Sequence, residues 1–319
     1  MTRRAPADVA TLVTRARTGD ARAVARLISL VEDASPLLRE VSAGLVEHAG
    51  HAQIVGITGA PGVGKSTSTS AVVTGLRRAG RRVGVLAVDP SSPFSGGALL
   101  GDRVRMQEHA LDPGVYIRSM ATRGHLGGLA WSSPQAIRVL DAAGCDVVLV
   151  ETVGVGQSEV DVAGLADTTL VLLAPGMGDG IQVAKAGILE VGDVYVINKA
   201  DRDGAAHVAR DLRAMLALAK HEDGDWRPPI VKTVAMKGEG IDDVAAAIDQ
   251  HRDWMDGSGE LRRRRLRRAR DEIEAIAVTA LRNRFGSLSG HADLDSLAAE
   301  VIEGGTDPYR AADTLLDTL

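Results

Sequence analysis

Short apolar runs alternate with amphipathic stretches through the middle of the chain. The runs that predict strands are residues 54–58, 83–88, 115–119, 147–150, 169–173, 194–197 and 230–234, of which 115–119 has the weakest pattern. Apolar runs of this length are typical of parallel strands that are buried on both faces. Residues 205–220 and 241–254 instead repeat apolar positions at helical spacing. The pattern predicts an α/β fold with a doubly wound, mostly parallel sheet.

The first 50 residues carry a helical pattern in three stretches, interrupted near Gly19 and Pro36. Apolar residues recur on one face of each predicted helix. Two interpretations are open. The extension is either a cap packed against the main domain, which we favour, or a surface that docks a partner.

From Gly257 the pattern becomes a helical arm. A long amphipathic helix over residues 261–281 precedes two short helices over 294–302 and 308–316. Such an arm cannot bury its apolar stripe alone, which predicts that it packs on a second subunit. The expected domains are an N-terminal helical extension, an α/β domain and a C-terminal helical dimerisation arm, at residues 1–50, 51–256 and 257–319.

The composition is that of a globular protein. Of the 319 residues, 45% are hydrophobic and 25% are charged, and no apolar run approaches membrane-spanning length. The net charge of −5 argues against a general nucleic-acid binder, and the basic run at 261–268 contains no aromatic residue, which favours a solvated helix face. The single cysteine, Cys145, excludes an intramolecular disulfide. We therefore expect a cytoplasmic protein that binds neither nucleic acid nor membrane.

A phosphate-binding motif follows the first predicted strand. It reads G-x-x-x-x-G-K-S-T and comprises Gly59, Ala60, Pro61, Gly62, Val63, Gly64, Lys65, Ser66 and Thr67. Glycines allow backbone angles that other residues disfavour, so successive N–H groups can point at a phosphate chain where the next helix begins. Lys65 supplies a cation for the outer phosphates, and Ser66 supplies a hydroxyl for Mg²⁺. With a strand before it and a helix after it, the motif predicts phosphate binding rather than a simple tight turn.

Three carboxylates are candidate magnesium ligands. Asp89 follows the second strand, where an ordinary Asp–Pro turn is the alternative. Asp102 could reach the same metal or cap a helix. Glu151 ends an apolar strand, and Gly154 could place its N–H on the terminal phosphate; because Glu is longer than Asp by one methylene, we expect a water-mediated contact with the metal. Gln157 could orient an attacking water or be a solvated loop residue.

A second motif, Asn-Lys-x-Asp, follows the strand at 194–197 and indicates the base. Asp201 can accept two hydrogen bonds from the N1–H and N2–H₂ edge of guanine, which adenine does not offer. Lys199 can lie along the ring, and Asn198 can tie the loop to its neighbours. The loop expected to offer a backbone N–H to the guanine oxygen contains Ala235, Met236, Lys237, Gly238 and Glu239. The two motifs in this order predict that the chain binds GTP and GDP.

A glycine-rich stretch, residues 174–185, lies between the two motifs. Its three glycines predict a mobile loop that leads into a helix. Asp179, Gln182 and Lys185 are the candidate switch residues, whose partners could change with the nucleotide state. The alternative is a strand-to-helix connection with ordinary surface charges.

Five segments occur in a characteristic order: GAPGVGKST, VDPSSPFSGGALLGDRVRM, ETVGVGQSEVD, APGMGDGIQ and NKAD. In this combination the chain resembles the MeaB/ArgK family of P-loop GTPases, which chaperone adenosylcobalamin-dependent methylmalonyl-CoA mutase. The resemblance covers nearly the whole chain.

The resemblance implies a Mg²⁺-dependent GTPase that couples hydrolysis to loading, protection or reactivation of the mutase cofactor. It implies that residues 174–185 are a third switch and that the C-terminal arm joins two subunits. The partner would be methylmalonyl-CoA mutase or a related acyl-CoA mutase, with the cobalamin adenosyltransferase as a further candidate. The residues that it places around Mg²⁺, beside the catalytic Lys65, are Ser66, Asp89, Asp102 and Glu151.

Two other functions stay open at this point. A nickel-delivery GTPase would need clustered metal ligands, whereas Cys145 stands alone and His48 and His51 are the nearest histidine pair. A small-molecule kinase would prefer ATP, against which Asp201 argues.

Overall fold

The computed structural model describes residues 8–89, 106–121, 132–152, 158–176, 190–218, 222–285 and 292–317. Seven strands form one sheet in which every described pairing between strands is parallel. They are β1 (Gln53–Thr58), β2 (Val83–Asp89), β3 (Val115–Ala121), β4 (Val147–Thr152), β5 (Thr168–Leu173), β6 (Val194–Ile197) and β7 (Ile230–Lys232). The predicted α/β fold is confirmed, including the weak strand at 115–119.

The strand order is β3-β2-β4-β1-β5-β6-β7. The first strand of the chain is therefore central, with β4 on one side and β5 on the other. Because all seven strands point the same way, the loops after their carboxyl ends meet along one edge of the sheet, where open α/β sheets bind ligands.

Helices cover both faces of this sheet. In β4, Val147 and Leu149 belong to the core on one face, whereas Val148 and Val150 belong to the core on the other face. This alternation follows from the two-residue period of a strand. The first face is covered by α4 (Lys65–Arg78) and α8 (Ile241–Ser258), and the second by α5 (Ser133–Ala142) and α6 (Ser158–Leu165).

Three N-terminal helices share the second core. They are α1 (Val9–Arg17), α2 (Ala21–Glu32) and α3 (Leu38–Leu45). The Asp20 carboxylate starts α2 by accepting hydrogen bonds from the N–H groups of Arg22 and Ala23. Buried residues of all three helices lie in one cluster with residues of β2, β3 and α5. The interpretation of this segment as a cap packed against the main domain is confirmed, because its helices cover the second face of the sheet.

The structure changes the ends of several predicted elements. The last strand stops at Lys232, two residues short of the prediction, because Val234 instead forms an antiparallel bridge with Glu239. Helix α7 (Ala205–Leu216) ends before the predicted residue 220, whereas α8 continues to Ser258 and meets Gly259 in the left-handed region.

Contacts divide the chain into two compact units, Met1–Arg264 and Arg265–Leu319. Helix α9 (Glu260–Phe285) begins in the first unit, and the second unit also contains α10 (Ala292–Ile302) and α11 (Pro308–Asp317), which contact each other. The Asp307 carboxylate caps α11 by accepting from the N–H groups of Tyr309 and Arg310. The domain boundaries predicted after residues 50 and 256 stay predictions. No described helix has both the length and the apolar character needed to cross a bilayer.

Candidate nucleotide-binding site

The loop between β1 and α4 holds three glycines at positive φ: Gly59 at 143°, Gly62 at 83° and Gly64 at 95°. Two of them also lie against neighbouring elements. A Cβ at Gly59 would lie 2.4 Å from the carbonyl oxygen of Leu172, and one at Gly64 would lie 2.6 Å from Asn198 Nδ2. Both the backbone angles and the close approaches therefore require glycine, as the motif predicts.

Helix α4 begins at Lys65, so its free N–H groups and the positive end of its dipole face this loop. The Lys65 side chain is buried, and its ammonium group donates to the carbonyl oxygens of Gly59 and Ala60. The cation is thus held inside the loop, where it can reach the outer phosphates of a bound nucleotide.

The next residue of the motif contacts the end of β4. Ser66 Oγ donates to Glu151 Oε1 over 2.6 Å. Glu151 follows Val147 and Leu149 at the two-residue period of the strand, which directs it to the face covered by α4. A hydroxyl and a carboxylate side by side are hard oxygen donors of the kind that Mg²⁺ prefers, so this pair fits a magnesium site.

Several predicted site residues cannot be placed in this way. The backbone of Asp89 ends β2 beside Ala121 of β3, one residue beyond the Val88–Thr152 pair that joins β2 to β4. Its side chain lies outside the described atoms. The residues that fall outside the described ranges altogether are Asp102, Gly154, Gln157, Asp179, Gln182 and Lys185.

Asn198 connects the phosphate loop to the base motif. Its Nδ2 donates to the carbonyl oxygen of Val63 over 2.9 Å, and its Oδ1 accepts from Thr233 Oγ1 and from the N–H of Ala235. Asn198 is buried, so all three bonds are shielded from water. The predicted role of Asn198 as a tie between loops is confirmed, whereas its partners Val63 and Thr233 were not foreseen.

Lys199 and Asp201 lie next to this tie. Lys199 adopts a φ of 57°, which is uncommon for a residue with a side chain, and its ammonium group donates to the carbonyl oxygen of Gly62 over 2.6 Å. The side chain of Asp201 is 44% exposed, and one of its oxygens lies 3.4 Å from Lys237 Nζ. An exposed ion pair of this kind contributes little stability, so the Asp201 carboxylate can exchange Lys237 for a ligand.

The loop after β7 is a tight turn. Residues Ala235–Lys237 form a 3₁₀ turn, and Gly238 and Gly240 have positive φ. The N–H of Lys237 donates to the carbonyl oxygen of Val234, while Met236 is 90% exposed.

An open cavity of about 680 Å³ begins beside the phosphate loop. Its walls include Ser66 and Thr67 at the start of α4, Met236 of the turn after β7, and also Ser70 of α4 and Glu108. The sequence motifs contain neither Ser70 nor Glu108, and no spacing pattern would have revealed them, because 38 residues separate the two.

A metal-delivery site finds no support in the described part of the chain. Within those ranges, no group of three or more His, Cys, Asp or Glu side chains is placed to hold a metal ion. Cys145 is 3% exposed, and burial raises the pKa of its thiol to about 12, so it is a neutral thiol rather than a metal-binding thiolate near pH 7.

A parallel sheet with this loop after its central strand, and with Asn-Lys-x-Asp after β6, defines a P-loop GTPase. Residues 24–289 match the family model described as methylmalonyl Co-A mutase-associated GTPase MeaB. The chain belongs to the MeaB family and is a GTPase that binds guanine nucleotides.

Named relatives agree with this assignment. A Pyrococcus abyssi protein named as a GTPase is 47% identical over 307 residues, which cover 96% of this chain and 95% of the relative. The GTPase ArgK of Escherichia coli is 38% identical over 262 residues, which cover 80% and 79% of the two chains. A solved structure described as an LAO/AO transport system kinase has a TM-score of 0.71 and 27% identity, and the match covers 99% of both chains.

Proposed function

We propose that this GTPase binds an adenosylcobalamin-dependent methylmalonyl-CoA mutase, or a related acyl-CoA mutase, and couples GTP hydrolysis to loading, protection or reactivation of the mutase cofactor. The name of the matching family supports the partner. The nucleotide half of the proposal depends on one structural observation. The Asn198 side chain forms hydrogen bonds both with Val63 of the phosphate loop and with Ala235 of the turn after β7.

The phosphate half of the site consists of the loop N–H groups and Lys65. We assign Ser66 and Glu151 to a magnesium ion, together with Asp89 and Asp102, whose side chains lie outside the described atoms. Bound there, Mg²⁺ would neutralise charge on the phosphates. The chain itself positions the triphosphate and stabilises charge as it develops on the transferring phosphoryl group, and water is the nucleophile.

Guanine recognition involves two elements. Asp201 accepts hydrogen bonds from the N1–H and N2–H₂ groups, and Lys199 lies along the ring. The N–H groups of Ala235 and Lys237 already donate to Asn198 Oδ1 and to the carbonyl oxygen of Val234. We therefore assign the N–H of Met236, on the same turn, to the guanine oxygen.

Three further assignments complete the proposal. Asp179, Gln182 and Lys185 report the nucleotide state to the partner, and the cobalamin adenosyltransferase is a candidate for a second partner. We also propose that the C-terminal arm forms a homodimer. The apolar side chains of α9 that support it are Ile273, Ile276 and Leu281, with exposed fractions of 68%, 55% and 50%.

Steady-state GTP hydrolysis with and without the mutase tests the partner assignment. We expect slow turnover by the protein alone, because its sequence offers no evident general base, and faster turnover when the mutase orders the loops around the phosphates. The control is the Lys65→Ala variant, which should hydrolyse no faster with the mutase than without it. An unchanged wild-type rate with a cognate mutase that binds the chain would contradict the coupling.

A further inference from the structure

The cavity beside the phosphate loop extends to a carboxylate that the assigned motifs do not use. Glu108 belongs to a short 3₁₀ turn, Gln107–His109, that lies against α4. The cavity that Glu108 lines also contains Ser66 and Thr67, the last two residues of the phosphate-binding motif at the start of α4, and Met236 of the turn after β7. A nucleotide that contacts both the end of this motif and the turn after β7 would therefore have Glu108 in the same open space.

A chain of hydrogen bonds orients this carboxylate. His109 is 8% exposed, and its Nε2 lies 3.1 Å from both the hydroxyl and the carbonyl oxygen of Ser70. The Ser70 hydroxyl donates its one proton to Glu108 Oε1, so Nε2 must be the donor toward Ser70 Oγ. His109 thus donates to Ser70, and Ser70 donates to Glu108. Such a chain of hydrogen bonds restrains the Glu108 carboxylate.

The remaining acceptor capacity of Glu108 faces solvent. Its side chain is 66% exposed, and Ser70 occupies one of about four lone-pair positions that an ionised carboxylate offers. Between the phosphates and the base of a guanine nucleotide lies the ribose, whose 2′- and 3′-hydroxyls are neighbouring donors. Carboxylates read ribose hydroxyls in this way in dinucleotide-binding folds.

We propose that Glu108 determines specificity for the sugar by accepting hydrogen bonds from the ribose hydroxyls of the bound guanine nucleotide. Ser70 and His109 are positioning residues that hold its carboxylate toward the cavity. The proposal deepens the nucleotide-site assignment made above and rests on it.

Calorimetric titration of the full chain with GDP, 2′-deoxy-GDP and 3′-deoxy-GDP tests the proposal. For the wild type we expect the affinity for at least one deoxy analogue to be about 10-fold or more below that for GDP, as for other hydrogen bonds to a charged group. We call the affinity for GDP divided by the affinity for a deoxy analogue the ribose ratio. In Glu108→Ala, this ratio should fall below about 2, because no carboxylate remains to accept the hydrogen bond from the sugar. Ser70→Ala should lower the ratio partially, since it releases the carboxylate without removing it.

Two control variants separate this role from a general effect. Glu303→Ala removes an exposed carboxylate of the second unit and should keep the wild-type ratio. Asp201→Asn should weaken guanine binding yet also keep the ratio between ribose and deoxyribose ligands.

Glu108→Gln preserves the shape of the side chain and replaces Glu108→Ala if the latter fails to fold. It should also lower the ratio of the affinity for GDP to the affinity for the deoxy analogue.

The possible results distinguish this proposal from the one on which it rests. Equal affinity of the wild type for GDP and both analogues, or a wild-type ratio retained in the Glu108 variants, would overturn the sugar-reading role and leave the GTPase site intact. A wild type that binds none of the three ligands would overturn the nucleotide-site assignment and this proposal together.

Discussion

Gly64 shows how much of the nucleotide site depends on single residues. It lies at a φ of 95°, immediately before the lysine that begins α4. The nearest atom to a Cβ added at this position would be Asn198 Nδ2, the same amide that bonds Val63. A side chain at position 64 would therefore collide with the residue that joins the base motif to the phosphate loop.

Gly64→Ala should strain the backbone and displace Asn198. We expect the free energy of unfolding to fall by about 2 kcal/mol, from the left-handed backbone and the close contact combined. GDP affinity should fall by about 10-fold or more as the two loops separate. Thermal melting and calorimetry measure the two effects.

The matched control is Gly304→Ala, at a φ of 77° with no atom within 4 Å of the new Cβ. The alanine should strain the backbone to a similar extent, but its Cβ contacts no other atom, so GDP binding should be unchanged. Equal GDP affinity in the Gly64 variant and the wild type would argue that the contact with Asn198 does not shape the site.

Asp201→Asn tests the assigned base specificity. The amide can no longer accept two hydrogen bonds from guanine, but it can donate one to the additional carbonyl of xanthine. We expect GDP to bind about 10- to 100-fold more weakly, the typical value of a hydrogen bond to a charged group, and xanthosine diphosphate to bind more tightly than it does to the wild type. Competition between the two nucleotides measures the change, and Asp203→Asn, two residues along the same exposed loop, should not produce it.

At the scale of elements, the amino ends of β5 and β6 are joined to α8 and α9 by a buried polar cluster. Arg264 of α9 donates two hydrogen bonds to the two oxygens of Asp193, over 2.8 and 2.9 Å, and a third to the carbonyl oxygen of Asp167. His251 of α8 is fully buried, and its Nδ1 lies 2.8 Å from Thr168 Oγ1. The cluster thus joins the amino end of α9 to the amino ends of β5 and β6.

Arg264→Ala should destabilise the protein by about 2 kcal/mol or more, because it leaves the buried Asp193 carboxylate without its cation. The expected value lies below that of a fully buried pair, since the Arg264 side chain is 25% exposed. Arg263→Ala is the matched control: its side chain is 58% exposed, and it should change the free energy of unfolding by less than about 0.5 kcal/mol. Urea unfolding measures both, and equal values for the two variants would contradict a structural role for the pair.

His251 should make stability depend on pH. Burial lowers the pKa of its imidazole from 6.5 to about 4, although Asp193 opposes the shift and Arg264 adds to it. Between these values the unfolded chain binds a proton that the folded protein does not. The contribution of the neutral His251 side chain to the free energy of unfolding is fully present above pH 6.5. It decreases by up to about 3 kcal/mol as the pH falls toward 4.

Denaturant unfolding at several pH values, followed by tryptophan fluorescence, checks this expectation. Trp226 and Trp254 lie 4.8 and 5.6 Å from the His251 ring, so their emission reports on this cluster. The neutral variant His251→Gln should lose most of the decrease between pH 6.5 and 4. His207→Gln, whose side chain is 69% exposed in the wild type, should retain it, and identical slopes in the wild type and His251→Gln would refute the assignment.

For the whole molecule, the proposed homodimer depends on the apolar side chains of α9. Replacing both Ile273 and Ile276 by Glu should give a monomer, because charges would have to be buried against the second subunit. Sedimentation velocity measures the mass, and circular dichroism checks that α9 persists. Replacing the exposed Asp271 and Glu274 of the same helix by Ala should preserve the dimer, and a dimeric Ile273→Glu/Ile276→Glu variant would rule out this surface.

The sequence by itself determined the parallel α/β fold, the phosphate loop, the base motif and the family. Each of these depends on local order: apolar runs of strand length, glycines at required backbone angles, and polar residues directly after strands. The bounds of β6, residues 194–197, follow from the same kind of local signal.

Only the tertiary structure decided which distant residues meet. The tie from Asn198 to Val63, the chain from His109 to Glu108 and the cluster of Asp193, His251 and Arg264 join residues that are far apart along the chain. The periodicity of the sequence does not predict such contacts, because they depend on the strand order and on how the helices pack on the two faces of the sheet. The sequence therefore determined the class of chemistry, and the fold decided which side chains are available to perform it.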